Sequence, residues 1–194
     1  MRKLFLGLIL TLTSLTVYCQ DNTQNDTSVN LIVNGKNAYY QKTVKVDSNI
    51  MESMIYLRSL EFMAAKNFQQ TYGYEQEGKL ICTTSQDLNT NNIYIGDDGD
   101  DVDQYTVQFA ITIDMKNKKY RYTINNVVFF RPTESGNRRL TLYDMNVKAT
   151  NTQSKRVAKD AKKVIDSFEK YLSGLTSELY LAIEHKSPVD STKF

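Results

Sequence analysis

The chain has 194 residues, with 24 Lys and Arg side chains, 22 Asp and Glu side chains and one His. This length suits a single domain, and the near balance of charge provides no overall attraction to nucleic acid or to an anionic membrane. Because the chain has one His, a zinc cluster or a His-based catalytic triad would have to be built from a single imidazole. No G-x-S-x-G, Walker or H-E-x-x-H sequence occurs.

Residues 1–19 have the features of a signal peptide. Arg2 and Lys3 supply the positive start, and a mainly apolar stretch follows. The expected cleavage lies between Cys19 and Gln20, because Cys19 is small enough for the pocket of a signal peptidase. The sequence therefore predicts an exported protein, periplasmic or secreted.

A lipid anchor is the alternative fate of Cys19, which would then be acylated as the first residue of the mature chain. The bulky Tyr18 immediately before it disfavours this alternative, because lipoprotein processing prefers a small residue there. The apolar stretch is also shorter than the ~20 residues that cross a bilayer. We expect no transmembrane segment in the mature chain.

Cleavage changes both the charge and the cysteine content. Loss of Arg2 and Lys3 leaves 22 basic side chains against 22 acidic ones. Cys82 becomes the only Cys, so no intramolecular disulfide and no two-Cys metal clip can form. Its strand-like neighbours predict a small buried hydrophobic side chain, and nothing nearby in the sequence would lower its thiol pKa.

Composition divides the mature chain into three parts. Residues 20–36 are polar and predict a flexible N-terminal lead, with one apolar island at Leu31-Ile32-Val33. Residues 37–186 predict a single domain, and 187–194 a C-terminal tail. No internal repeat occurs.

The domain is expected to begin with a strand and a helix. Alternating apolar and polar residues indicate the strand over about 39–46. Asn49 and Glu52 have the spacing of a capping box, with Asn in place of the usual Ser or Thr. An apolar-periodic segment over 50–70 then predicts a helix that ends at Gly73.

Four strands joined by short polar turns are expected next, as an antiparallel meander over 79–86, 92–96, 104–115 and 118–130. In the third, one face is core and the other is wet or lightly covered. The core face holds Tyr105, Val107, Phe109, Ile111, Ile113 and Met115. In the fourth, the apolar phase reverses, which predicts a bulge near Asn125-Asn126.

The end of the domain is expected to hold a weaker strand and a long helix. Leu140 and Leu142, extended by Met145 and Val147, indicate the strand. Helical spacing of apolar residues predicts the closing helix over about 154–185. The fold class is therefore α+β: an antiparallel sheet of about five strands, packed against one face by two helices, in the order β-α-β-β-β-β-α.

Four segments carry a resemblance to a known family. They are Tyr40-Gln41-Lys42-Thr43-Val44-Lys45-Val46-Asp47, Glu61-Phe62-Met63-Ala64-Ala65-Lys66-Asn67-Phe68, Tyr105 to Ile113, and Lys118-Lys119-Tyr120-Arg121-Tyr122-Thr123-Ile124. Together they resemble a family of exported bacterial proteins catalogued as a domain of unknown function with a TBP-like fold. The resemblance covers about residues 39–130, and Phe62 stands where a Trp is expected.

The resemblance implies a fold and no activity, so it transfers no site residues to this chain. TBP itself bends DNA with a basic concave sheet. An exported protein of balanced charge meets no duplex, and we expect no nucleic-acid partner.

Five carboxylates between Gly96 and Gln108 form a candidate site for a hard cation such as Ca²⁺. They are Asp97, Asp98, Asp100, Asp101 and Asp103. The run fails the EF-hand pattern, because Val102 occupies the glycine position and Gln108 the bidentate glutamate position. We expect a solvated loop, with weak calcium binding as the alternative. No cofactor is indicated.

Five basic residues at the start of the closing helix form a candidate interaction surface, with Asp160 as the acid among them. They are Lys155, Arg156, Lys159, Lys162 and Lys163. Such a face can meet lipid headgroups or an acidic partner, although Lys-rich outer faces also serve solubility alone. His185 is expected to be a plain surface side chain.

The chain has 13 Tyr and no Trp. Tyr is common on recognition surfaces, but Tyr120 and Tyr122 share one strand phase and are expected beneath a helix. The leading hypothesis is an exported, non-enzymatic binding module of the bacterial cell envelope that binds a protein or envelope component through its sheet or an edge strand. An envelope hydrolase with paired carboxylates or a metal at the acidic run is one alternative, and a structural or oligomerising role is another.

Overall fold

Two strands and a helix begin the domain, a run of five antiparallel strands follows, and two helices close it. The structure is a computed structural model, and it describes residues 29–93, 102–133 and 136–185. Its elements are β1 (Leu31–Asn34), β2 (Asn37–Lys45), α1 (Glu52–Ala65), β3 (Gln69–Tyr74), a 3₁₀ turn (Glu75–Glu77), β4 (Lys79–Ile93), β5 (Val102–Met115), β6 (Lys119–Thr133), β7 (Gly136–Thr141), α2 (Leu142–Asn151) and α3 (Lys155–His185).

Within these described ranges, the strands form one seven-stranded antiparallel sheet in the order β1-β2-β6-β5-β4-β3. The seventh strand, β7, also pairs with β6. It takes the second half of β6, from Val128 to Thr133, whereas β2 takes the first half, from Lys119 to Ile124. Both strands therefore lie on the same edge of β6, end to end.

The core lies between the helices and one face of the sheet, which we call the covered face. The alternation predicted for β5 is confirmed, because all six of its expected core residues are buried. Tyr120 and Tyr122 of β6 are buried there too, as predicted. Helix α3 supplies the largest share of the helical side, with the buried residues Ala161, Val164, Ile165, Phe168, Leu172, Leu175, Leu179 and Ile183.

The bulge predicted in β6 is confirmed. Gln108 of β5 pairs with Val128, whereas Ala110 pairs with Asn125, so Asn126 and Val127 together face Phe109. Asn126 has a φ of 53°, which a short polar side chain tolerates better than a β-branched one. The extra residue restores the phase, and the apolar residues after it return to the covered face.

The α+β class, with helices on one face of an antiparallel sheet, is confirmed, but the predicted count of about five strands and two helices is too low. Leu31–Asn34, placed by the sequence analysis in the flexible lead, form β1 and pair with β2. Leu31 packs against the core, and the burial of its apolar side chain stabilises the pairing of this short strand with the sheet. The expected strands 79–86 and 92–96 belong to one strand, β4, up to Ile93.

The helix predicted over 50–70 is too long at both ends. It occupies Glu52–Ala65, and Asn67 adopts a φ of 60° that stops the helix. Gly73 does not end it, because residues 69–74 form β3. The polar and Tyr-rich sequence of β3 resembles a helix end when its partner strand β4 is not considered.

The capping box predicted for Asn49 and Glu52 does not form. Met51 is the residue before the helix, and no side chain caps it. The backbone N–H of Asn49 donates to Asp47 Oδ1 at 2.8 Å, and the Glu52 carboxylate accepts from the backbone N–H of Asn117 at 2.5 Å. Tertiary contact has replaced the local cap.

The strand expected over residues 140–147 is wrong beyond Thr141. There β7 ends and α2 begins, so Leu142 and Met145 are buried as helical residues. The cause is a capping box between Thr141 and Asp144, which the sequence analysis did not use. The long closing helix is confirmed as α3.

Candidate functional site

The sheet face opposite the helices, which we call the open face, carries the candidate site. Its residues are the alternate ones on each strand, among them Thr43, Ser85, Gln108 and Arg121, all of them exposed. The helices α1, α2 and α3 contribute to the core on the other side, although the start of α2, at Leu142 and Tyr143, borders this face near β2. The face is therefore a broad, solvent-accessible surface with side chains fixed at strand spacing.

Two depressions meet on the open face at the β6 bulge. One, of about 560 Å³, is bordered by Asn67, Gln69, Thr83, Thr84, Ser85, Gln108, Phe109, Ala110 and Asn126. We call it the trough. None of these described lining residues carries a charge. A ligand that enters the trough meets hydroxyl and amide groups with neither an anion nor a cation to pair with.

The second depression, of about 610 Å³, is a notch between the start of β2 and the end of β7. It exists because β2 stops pairing with β6 at Ile124 and β7 starts pairing at Val128. Tyr39, Gln41, Asn125 and Tyr143 border it, as do the two basic residues Lys36 and Arg139. Asn126 borders both depressions, so the bulge joins them.

Six amide side chains follow one another across the two depressions, from the β3 side of the sheet to β2. We call this row the amide band: Asn67, Gln69, Gln108, Asn125, Asn126 and Gln41. Gln41 Nε2 donates to Thr123 Oγ1 at 2.9 Å. The amides of Gln108, Asn125 and Asn126 make no hydrogen bond to another described residue, so water or a ligand is their partner.

Two carboxylates on the open face, Asp114 and Asp87, lie toward opposite ends of the strands and have hydrogen-bond partners. Arg121 Nη2 donates to Asp114 Oδ2 at 3.0 Å. At the other end, Thr106 Oγ1 donates to Asp87 Oδ1 at 2.8 Å. The central part of the face is left nearly neutral.

The five residues of the predicted basic surface lie at the start of α3. Lys155, Arg156, Lys159, Lys162 and Lys163 are all exposed along the first turns of α3. Lys162 Nζ lies 3.3 Å from Asp166 Oδ1, a surface ion pair of small energetic value. The group lies on the helix layer, away from the amide band, and its role as an interaction surface stays a prediction.

Asp160, the acid among those basic residues, faces inward. It is 6% exposed, and its Oδ2 has no hydrogen-bond partner among the described residues. Arg131 of β6 and Tyr105 of β5 are buried nearby at the same end of the sheet. Burial raises the pKa of Tyr105 to about 12, while Arg131 and Arg138 act to lower it and Asp160 to raise it.

The acidic run lies mostly outside the described residues. Asp97, Asp98, Asp100 and Asp101 are outside them, and Asp103 is described only as the second residue of β5. Among the described residues, no group of three or more His, Cys, Asp and Glu side chains is placed to hold a metal ion. The weak calcium site stays a prediction. Cys19 and Gln20 also fall outside the described part, as does the side chain of His185.

Cys82 is buried, as the sequence analysis predicted. Its side chain on β4 faces the covered side with 1% exposure, and burial raises the pKa of its thiol to about 11. A thiol of this kind is protonated at neutral pH and shielded from reagents, so it acts as a core side chain.

The amide band was missed because its members lie far apart in sequence. Gln41 and Asn126 become neighbours only through the pairing of β2 with β6. One signal was available: the alternate residues of β5, such as Thr106, Gln108 and Thr112, are uncharged and polar. A sheet face that contacts only water more often carries Lys and Glu among its polar residues.

An antiparallel sheet with its open face toward solvent and its described helices on the other face defines a two-layer α+β protein of the TBP-like kind. Residues 40–130 match the family model described as a domain of unknown function (DUF4468) with TBP-like fold. This match confirms the resemblance seen in the sequence.

Two crystal structures have the same fold. One, of a TBP-like protein from Parabacteroides distasonis, has a TM-score of 0.62 at 12% identity and covers 78% of this chain and 96% of its own. The other, of a DUF4468 family protein from Bacteroides ovatus, has a TM-score of 0.62 at 10% identity and covers 81% of this chain and 91% of its own. No curated protein matches the chain. Within the described part, no helix has the length and apolar character needed to span a membrane.

Proposed function

We propose that this chain is an exported, non-enzymatic binding module of the bacterial cell envelope that holds its partner on the open face of the sheet. The amide band is the observation that carries the proposal. Side chains that only need to stay soluble are usually charged, whereas Gln108, Asn125 and Asn126 offer oriented, uncharged donors and acceptors.

The geometry of the open face also favours binding over chemistry. The two depressions are shallow and continuous, and they lie on rigid strands, which fix side-chain positions better than loops do. The polar groups that line the trough are amides and hydroxyls. Such groups orient a ligand by hydrogen bonding and lack the titratable members that acid–base catalysis uses.

Export is supported by the sequence of residues 1–19, with its positive start and mainly apolar stretch. Its test is to express residues 1–194 with a C-terminal tag in a Bacteroides host and determine the N-terminus of the mature protein. We expect Gln20 as the first residue in an envelope or culture fraction. An intact Met1 in the cytoplasmic fraction would refute export.

The binding role is tested by co-sedimentation of residues 20–194 with outer-membrane vesicles and with cell-wall sacculi from the same host. We expect the wild type to sediment with one fraction and the Gln108→Ala, Asn125→Ala double variant to lose most of that binding. The matched control is Lys163→Ala with Lys170→Ala on the helix layer, which should bind as the wild type does. Loss only in the control would place the binding surface on α3 instead.

A further inference from the structure

We propose that the amide band is a binding site for an extended, uncharged oligosaccharide, an inference that rests on the proposed binding role of the open face. The lining of the trough supplies the first argument. Its described lining consists of amide and hydroxyl side chains with Phe109 and Ala110, and none of these side chains is charged. A neutral ligand with many hydroxyl groups matches this lining, because the cations that border the two depressions, Lys36 and Arg139, belong to the notch and not to the trough.

The hydrogen-bonding capacity of the band supplies the second argument. Each Asn or Gln amide has two N–H donors and a carbonyl acceptor held in one plane. Two neighbouring sugar hydroxyls, one accepting and one donating, satisfy such an amide at both of its ends. Gln108, Asn125 and Asn126 have this capacity uncommitted within the described structure, and Thr83 and Ser85 add hydroxyls beside them.

Ring surfaces lie at the β2 end of the band. Tyr39 and Tyr143 border the notch and are half-buried, so each ring is held in place while part of it stays accessible. The faces of aromatic rings carry negative charge density and attract the C–H groups on the flat side of a sugar ring. Amides next to a fixed Tyr ring can therefore bind the hydroxyl groups of a hexose while the ring packs against the flat side of the sugar.

The direction of the band decides between an oligosaccharide and a polypeptide. The band crosses five adjacent strands, from β3 to β2, and strands lie about 4.8 Å apart, so it spans about 19 Å. A hexose unit in a linear glycan is about as long as one strand spacing, which brings successive units over successive strands. A polypeptide would instead bind along a sheet edge, where backbone groups are unpaired.

The bulge is what makes the band continuous. A regular strand sends Asn125 and its neighbour to opposite faces, whereas the extra residue here leaves Asn126 exposed beside Asn125. Asn126 thereby closes the gap between trough and notch. The site is specific to this position in the sheet, because the register is regular in the rest of the pairing between β5 and β6.

The test is a titration of ¹⁵N-labelled residues 20–194 with linear 1,4-linked glucose oligomers and N-acetylglucosamine oligomers of increasing length. We expect backbone shifts at Gln108, Asn125 and Asn126, and an affinity that rises with length up to about four units and then levels off. An anionic glycan, polygalacturonate, serves as the mismatched probe and should bind more weakly.

Two variants test the named residues. Asn126→Gly keeps a residue that tolerates positive φ and removes the amide, and with Gln108→Ala it should weaken binding at least about tenfold. Thr43→Ala, on the same face outside the two depressions, should bind as the wild type does. Unchanged melting temperatures show that the variants are folded.

Three results would overturn the inference. The first is oligosaccharide binding that survives in the Gln108→Ala, Asn126→Gly variant, and the second is an affinity that does not depend on oligomer length. The third is the absence of any backbone NMR shift with a neutral oligomer at about 10 mM, a concentration far above typical working affinities. In the last case, co-sedimentation that still depends on Gln108 and Asn125 would leave the open-face function standing with a non-glycan partner. Co-sedimentation independent of both residues would remove the two proposals together.

Discussion

The hydroxyl of Tyr40 donates a hydrogen bond of 3.2 Å to Glu169 Oε1, which joins the second strand of the sheet to the middle of α3. Tyr40 is fully buried, and Glu169, a residue of α3, is half-buried. Burial raises the pKa of Glu169 above its ordinary value, and the bond from Tyr40 acts in the opposite direction. The hydrogen bond from Tyr40 therefore partly offsets the cost of removing the Glu169 carboxylate from water in the folded state.

The first prediction concerns the pH dependence of this contact. A carboxyl group whose folded pKa is raised stabilises the fold at low pH and loses that contribution as the pH rises through the folded pKa. Glu169→Gln keeps the acceptor for Tyr40 and removes the charge. We expect its melting temperature to equal that of the wild type near pH 4 and to exceed it slightly near pH 7.5. A difference in melting temperature that is constant from pH 4 to 7.5 would contradict a raised pKa at Glu169. Tyr40→Phe removes the hydrogen bond to the carboxylate, so it should enlarge the loss of stability that Glu169 causes at neutral pH.

The second prediction concerns the start of α2. Thr141 Oγ1 accepts from the backbone N–H of Asp144 at 3.1 Å, and Asp144 Oδ2 accepts from the backbone N–H of Thr141 at 3.1 Å. Thr141→Ala should cost about 1 kcal/mol and lower the melting temperature by about 2–4 °C. Thr141→Ser retains the bond and should recover most of this loss. Equal melting of the two variants would show that the cap contributes nothing.

The third prediction concerns Phe168, whose ring makes edge-to-face contacts across the core. Its centroid lies 6.0 Å from Tyr40, 5.4 Å from Phe109 and 5.6 Å from Phe129. Phe168→Ala should lower the free energy of unfolding by about 3–5 kcal/mol, measured by urea denaturation, because it leaves a cavity with three unmatched rings. Leu181→Ala on the same helix, where the side chain is half exposed, should cost less than about 1 kcal/mol. A similar cost for both would place Phe168 outside the stabilising core.

The fourth prediction concerns Cys82 in the 20–194 chain, where it is the only thiol. The raised pKa and burial of this thiol should slow its reaction with a disulfide reagent near pH 8 by about 100-fold or more relative to the urea-unfolded chain. The readout is the absorbance of the released thiolate over time. A rate in the folded state close to that of a free thiol would mean that β4 opens readily.

Regular patterns made part of this fold predictable. The strict alternation from Tyr105 to Met115 gave β5 and its buried face, and the helical spacing from Val157 to Ile183 gave α3. The phase reversal after Ile124 even located the bulge. In each case one element buries a whole face, so the sequence of that element alone carries the signal.

The remaining elements depend on distant residues. β3 has a polar sequence and becomes a strand because β4 pairs with it, while β1 docks through Leu31. The helix α2 was mistaken for a strand because a local cap at Thr141 outweighed an ambiguous apolar pattern. The amide band could not be predicted from the sequence for a related reason. Hydrophobic periodicity locates the buried face of a strand, whereas the chemistry of the open face depends on which strands become neighbours.

The bulge in β6 also limits how the chain can change in length. Removing Asn126 would shift every later residue of the strand by one position, turning Val127, Phe129 and Arg131 toward solvent and Val128 and Phe130 toward the helices. A one-residue deletion is usually harmless where side chains meet water, as they do here. At this position the deletion would exchange the buried and exposed faces of the rest of the strand. Homologous chains should therefore conserve the number of residues between Ile124 and Phe129 more strictly than the identity of those residues.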